Sequence, residues 1–190
     1  MLYKYQFGFR LKTSTNHALI SIADKIQNNL DKGLLTAGVF VDLQKAFDTV
    51  DHNILLHKLM HYGIKGSSLD WFKSYFTGRK QFVHVNNVSS NTKNIEHGVP
   101  QGSILGPLLF LVFINDLHQA IPNALVHHFA DDTNLLLSDS SLKKLTLKTN
   151  HDLTCLCEWL RANKLALNVD KTELIVFRRP STILNFKYKF

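Results

Sequence analysis

The sequence predicts an α+β domain in which a few antiparallel strands pack on helices, and three observations lead there. Residues 36–41 form a short, apolar, β-prone run that stops at Asp42. Two further apolar stretches, around Leu125-Val126 and Leu135-Leu136-Leu137, flank a tight polar break at Asp131-Asp132, which is the sequence form of a hairpin. Leu142, Leu145, Leu153, Leu156 and Leu160 then recur at helical spacing with Trp159 beside them. Composition agrees, because 190 residues of which 45% are apolar bury a real core and make one domain or part of one.

In chain order, the first strand is expected near 36–42 and runs into a helix near 43–62, on which Phe47, Val50 and Ile54 share one apolar face. A second helix near 68–77 ends at Gly78 and turns Trp71, Phe72, Tyr75 and Phe76 inward. Residues 97–107 contain Gly98, Gly102, Gly106, Pro100 and Pro107, so this loop can bring backbone close to a ligand. Ser103 is the expected N-cap of an apolar helix near 104–120. Gln101, held between Pro100 and Gly102 at the mouth of that helix, reads as an oriented amide. Strands near 125–130 and 133–138 make the acidic hairpin, a helix near 141–163 packs under the sheet, and a last strand lies near 172–178.

Two adjacent carboxylates at a turn are costly. Like charges about 4 Å apart repel by roughly 4 kcal/mol at an effective dielectric of 20, so such a pair faces water or a divalent cation. Asp131-Asp132 alone reads as a solvated turn. Asp42, at the end of a buried strand, changes that: if its strand pairs beside the hairpin, Asp42 and Asp131 converge on one sheet edge, where two Mg²⁺ ions can serve phosphoryl or nucleotidyl transfer.

Four ordered motifs carry a resemblance. Residues 40–48 (Phe-Val-Asp-Leu-Gln-Lys-Ala-Phe-Asp), 98–103 (Gly-Val-Pro-Gln-Gly-Ser), 129–132 (Phe-Ala-Asp-Asp) and 167–172 (Leu-Asn-Val-Asp-Lys-Thr) resemble the palm motifs of reverse transcriptases, especially those of LINE-type retrotransposons without long terminal repeats. Gln6-Phe7-Gly8-Phe9-Arg10 resembles a fingers motif of the same family. The resemblance implies a ferredoxin-like polymerase palm, with 1–35 as partial fingers, 36–178 as palm carrying an inserted fingers segment around 64–97, and 179–190 as the end of the chain without a thumb.

It also implies roles. Asp42 and Asp131 are the main ligands of two catalytic Mg²⁺ ions, with Mn²⁺ as a substitute, Asp132 is a weaker ligand, and Val41 offers its backbone carbonyl. Phe47 falls where the family places a bulky side chain under the incoming sugar, excluding a 2′-hydroxyl; by periodicity alone it is core. Gln101 and Gly102 belong to the deoxynucleotide site, Arg10 grips the triphosphate, and Lys171 is the acid that protonates pyrophosphate. On solvation alone, Lys171 is an exposed turn residue.

The implied partners are an RNA template, a DNA primer and deoxynucleoside triphosphates. The formal charge of +7 suits polyanions, and basic and aromatic residues interleave over 72–82. Cys155 and Cys157 stand too close for ordinary bridging, which fits a reducing, intracellular setting; the nucleus is implied by the resemblance alone. His52, His57, His61, His127 and His128 lack a ligand pattern, and no apolar run reaches membrane-spanning length. Without a thumb, weak or absent activity of the isolated chain is expected. Two alternatives stay open: another palm-type nucleotidyl transferase, against which Gln101 and Phe47 speak, and a non-catalytic remnant that at most binds nucleic acid.

Overall fold

β-branched and apolar residues dominate the segments that become the central sheet, and the turns between them fix its order. The computed structural model describes residues 2–180. Four strands, β1 (Leu35–Val41), β6 (Leu125–Phe129), β7 (Asp132–Asp139) and β8 (Glu173–Phe177), lie in the order β6-β7-β1-β8. Every neighbouring pair is antiparallel. Between β1 and β6 come α2 (His52–His61), α3 (Ser67–Phe76), α4 (Leu105–Ile114) and α5 (Leu117–Ala120); between β7 and β8 comes α6 (Leu142–Ala162). This is the strand–helix–strand–strand–helix–strand order of the ferredoxin-like split, as expected for an α+β chain.

Alternation along the strands sorts the two faces. Ala37, Val39 and Val41 of β1, Leu135 and Leu137 of β7, and Val126 of β6 join Phe110, Phe113 and Ile114 of α4 and Leu156 and Leu160 of α6 in the main core. Fully burying one such side chain contributes about 1.5–3 kcal/mol. Lys58 ties α2 to this layer, its Nζ donating to the carbonyl of Phe113 at 2.6 Å and to Asp116 Oδ1 at 2.6 Å. The opposite face carries Phe40, Asn134 and His127, and α1 (Thr15–Asp31) packs there. Ser21 Oγ meets His127 Nε2 at 2.9 Å, and Asn29 Nδ2 donates to Thr36 Oγ1 at 3.0 Å.

Four expectations need correction. Residues 44–49 are turns, and α2 starts only at His52, with Asp51 as N-cap accepting from the N–H groups of Asn53 and Ile54. The reason is that backbone groups here bond to remote loops: Gln44 N–H to Ala166, Val99 N–H to Phe47 and Gly98 N–H to Val50. The helix expected over 104–120 breaks at Asn115, whose side chain accepts from Tyr3 N–H and donates to the Tyr62 hydroxyl. Helix α1 was not expected at all. Nor were the short pairs β2 (Lys80–Gln81) with β5 (Lys93–Asn94) and β3 (His84–Val85) with β4 (Val88–Ser89), the second closed by Asn86 and Asn87 at positive φ.

The N-cap position of α4 falls on Ile104, one residue later than expected, but Ser103 Oγ still accepts from Gly106 N–H in the first turn at 2.9 Å. No helix among the described residues is long and apolar enough to cross a membrane. Most of the stretch 179–190, expected as the chain end, lies outside the described residues.

Candidate active site

The antiparallel register sets Val41 opposite Thr133 and Phe129 opposite Asp132, so Asp42 leaves β1 at the end of the sheet where the acidic hairpin turns. The turn is two residues long, Ala130 and Asp131, and Ala130 takes φ 58°, a left-handed value that costs a non-glycine residue on the order of 1 kcal/mol. Asp42 is fixed from a third element: Asn168 Nδ2 donates to its Oδ2 at 2.7 Å, Asn168 N–H donates to its carbonyl at 2.9 Å, and its own N–H reaches Thr172 Oγ1 at 3.3 Å.

Asp42 and Asp132 border one cleft of about 410 Å³, together with Phe40, Phe129, Asn134 and Lys171. The residues of α1 that close it are Thr15 and the apolar Ala18, Leu19 and Ile22. Asp131 sits on the adjoining turn and does not border the cleft. Partial withdrawal from water, then the charges of Asp131 and Asp42, push the Asp132 carboxyl above its ordinary pKa. That is the electrostatic state a divalent cation relieves. An all-oxygen donor set suits Mg²⁺, which is held by one or two carboxylates plus substrate phosphates. Among the described residues no three or more His, Cys, Asp or Glu side chains gather as a ready-made metal cage, so the fit is to that shared mode of binding.

A second cavity of about 410 Å³ brings together Phe47, Gln101 and Gly102, with Pro100 and Ser103 on its wall and Phe9 from the N-terminal motif. Phe47 is half-buried: its ring stacks on Phe110 at 4.4 Å between centroids and meets Phe9 edge-on at 6.4 Å. It is therefore both packing and cavity wall, though not on a helix. Gln101 is oriented, its Nε2 donating to Asp48 Oδ1 at 2.7 Å. Arg10 borders neither cavity; its Nη1 donates to the carbonyls of Tyr3 at 3.0 Å and Gln6 at 2.9 Å, so it braces the N-terminal loop.

A family model described as reverse transcriptase (RNA-dependent DNA polymerase) matches residues 2–188. The chain belongs to the reverse transcriptase family. It is 35% identical over 181 residues to a probable RNA-directed DNA polymerase from transposon BS of Drosophila melanogaster, covering 88% of this chain and 19% of that protein. To the RNA-directed DNA polymerase from mobile element jockey of Drosophila funebris it is 32% identical over 181 residues, covering 92% and 20%. The chain thus spans about a fifth of the length of these relatives. Its fold is similar to that of telomerase from Candida tropicalis, solved with a fragment of telomeric RNA, with a TM-score of 0.65 at 18% identity over 91% of this chain and 31% of that one.

In this reverse transcriptase chain, Lys45, Arg79 and Lys80 border a groove of about 700 Å³ that also touches Asp48 and Gln101. Arg79 lies over the Tyr75 ring at 5.1 Å. Of the aromatics expected to turn inward, Phe76 is buried and Phe72 and Tyr75 are half-buried, but Trp71 is 52% exposed and stacks on Tyr75. Four residues around the site had no role assigned from sequence: Asn168, Asp48, Phe9 and Gln6. All lie within the four motifs or the N-terminal one, so their place was marked while their partners, remote in the chain, were not. His128, behind the hairpin, is neutral: burial, then His118 and His127, lower its pKa to about 3.

Proposed function

We propose that this chain is the palm of an RNA-directed DNA polymerase of a non-LTR retroelement, which adds deoxynucleotides to a primer 3′-hydroxyl along an RNA template. Residues 36–178 are assigned to the palm, the segment around 64–97 and residues 1–35 to the fingers. What carries the reading is the meeting of Asp42 and Asp132 on one cleft beside the turn that bears Asp131, in a chain of this family.

Asp42, Asp131, Asp132 and the Val41 carbonyl are the oxygens that would hold two Mg²⁺ ions. When bound, the ions supply a lowered pKa at the primer hydroxyl and neutralise the triphosphate. The chain's own residues do the rest. Asn168 keeps the Asp42 carboxylate pointed by a 2.7 Å bond. Lys171, on the cleft wall, holds a proton for the departing pyrophosphate. Phe47 sets the floor beneath the sugar and excludes a 2′-hydroxyl, while Gln101, steadied by Asp48, and Gly102 line the space for the nucleotide. Arg10 supports nucleotide binding through the loop it braces. Lys45, Arg79 and Lys80 offer positive charge to the nucleic-acid backbone.

Primer extension on an RNA template with Mg²⁺ and each nucleotide type tests this, in the chain completed with fingers and a thumb. Asp42→Asn and Asp131→Asn are expected to abolish extension while thermal unfolding stays close to that of the parent protein, because an amide keeps the shape and removes the charge. Near-normal extension by either variant rejects the assignment.

A further inference from the structure

Gln6 is 2% exposed, and its side chain bonds to the hairpin turn, 124 residues away in sequence. Its Oε1 accepts from Ala130 N–H at 3.1 Å and from Gly8 N–H at 2.8 Å, and its Nε2 donates to the Ala130 carbonyl at 3.4 Å. The amide thereby acts as a peptide group added to the turn, satisfying both polar groups of the one residue held at positive φ. Gly8 lies so close that a Cβ would run into the Ala130 backbone nitrogen, with Ala130 Cα at 2.9 Å and Phe129 C at 3.0 Å.

The rest of the loop is fastened to the same hairpin. Phe7 N–H donates to His128 and His128 N–H donates to Tyr5, so residues 5–7 add a parallel edge to β6. Arg10 Nη1 and Thr13 Oγ1 then fasten the loop through the carbonyls of Gln6 and Phe7.

We propose that Gln6, with Gly8, is a positioning residue for Asp131: it holds the Ala130-Asp131 turn in the conformation that presents Asp131 beside Asp42 and Asp132. The proposal rests on the reading of these acids as cation ligands. Unclamped, a two-residue turn with alanine at positive φ has other conformations open to it, and each moves Asp131, which follows Ala130 directly.

The test compares the parent protein with Gln6→Met, which keeps length and loses all three bonds, and Gln6→Glu, which keeps the oxygen that accepts two of them. Gln6→Met should raise the hydrogen-exchange rate of the Ala130 amide at least tenfold, weaken Mn²⁺ binding measured by electron paramagnetic resonance several-fold, and shift the Mg²⁺ dependence of extension upward. Gln6→Glu should retain most of the Ala130 protection and provides the folded comparison if Gln6→Met is poorly stable. Asp152→Asn, which weakens the far end of β6, should lower stability without moving the Mn²⁺ midpoint. Parent-like Mn²⁺ binding and Mg²⁺ dependence in Gln6→Met would overturn the proposal and leave the catalytic reading intact. Failure of the parent itself to bind Mn²⁺ in a manner lost with Asp42→Asn would overturn both.

Discussion

Phe47 faces two environments at once, the buried ring of Phe110 and the cavity shared with Gln101. Phe47→Val is accordingly expected to do two things: raise ribonucleotide use relative to deoxynucleotide use, and lower stability by about 1–3 kcal/mol through the space left against Phe110. Sugar selectivity and thermal midpoint measured on the same protein separate them; a lowered midpoint with an unchanged ratio makes Phe47 packing only. His128 gives a second residue-level expectation. Its folded pKa, about 3, lies below the ordinary 6.5, so the unfolded chain binds the proton first. Stability is therefore lost as pH falls below about 6.5, by up to about 1.4 kcal/mol per pH unit from this group, until pH nears its folded value. Asp51, whose pKa is lowered by Lys164 and the α2 N–H groups against the opposing effect of burial, adds loss at more acid pH, whereas Asp132, raised, acts in the opposite sense. Urea unfolding from pH 7 to 4 should show the decline, and His128→Leu should flatten it.

At the level of elements, β1, the β6–β7 hairpin and α6 were legible because each has a clean period and a clear break, the hairpin at Ala130-Asp131 and α6 after Asp139-Ser140-Ser141. Helix α1 was missed although Ser14 caps it, accepting from His17 N–H, and Gly33 follows its end at positive φ. Leu19, Ile22, Ala23, Ile26 and Leu30 do recur at helical spacing, so the signal was in the sequence; the stripe is only partly covered in the fold, with Leu19 exposed and Ile22, Ile26 and Leu30 half-buried. The turns at 44–49 were missed for a different reason: their apolar spacing is helical, but tertiary bonds to 97–99 and 166 outcompete helix. The three acids could be named from sequence because strand ends and turns are local. Their supports could not, since Asn168 and Gln6 act across 126 and 124 residues. Asp152 shows the same long reach: fully buried on α6, it accepts from Asn123 N–H, Ala124 N–H and Asn123 Nδ2 and so sets where β6 begins. Asp152→Ala is expected to cost about 2–4 kcal/mol by chemical denaturation, since two backbone donors lose a buried partner.

For the whole molecule, the net charge of +7 predicts that binding to an RNA–DNA duplex, which the proposed function requires, falls with salt. Replacing Arg79 and Lys80 by Gln should weaken binding across sequences and reduce the log–log salt slope by about 2; an unchanged slope takes the groove out of the nucleic-acid interface. The pairing of β1 with β7 has a consequence in time as well as space. Each rung of that ladder joins residues roughly a hundred apart, with four helices and the short hairpins intervening. Such a closure is slow, and a slip of one residue would turn Asp42 to the other side of the sheet. During synthesis Asp42 therefore stays in water apart from the Asp131-Asp132 pair, without their added repulsion and without a common ion, until β7 has emerged and docked in register. On the proposed function, competence to hold a cation is acquired only when this register closes, so a half-made or misregistered chain would have no cleft in which to hold a nucleotide's phosphates.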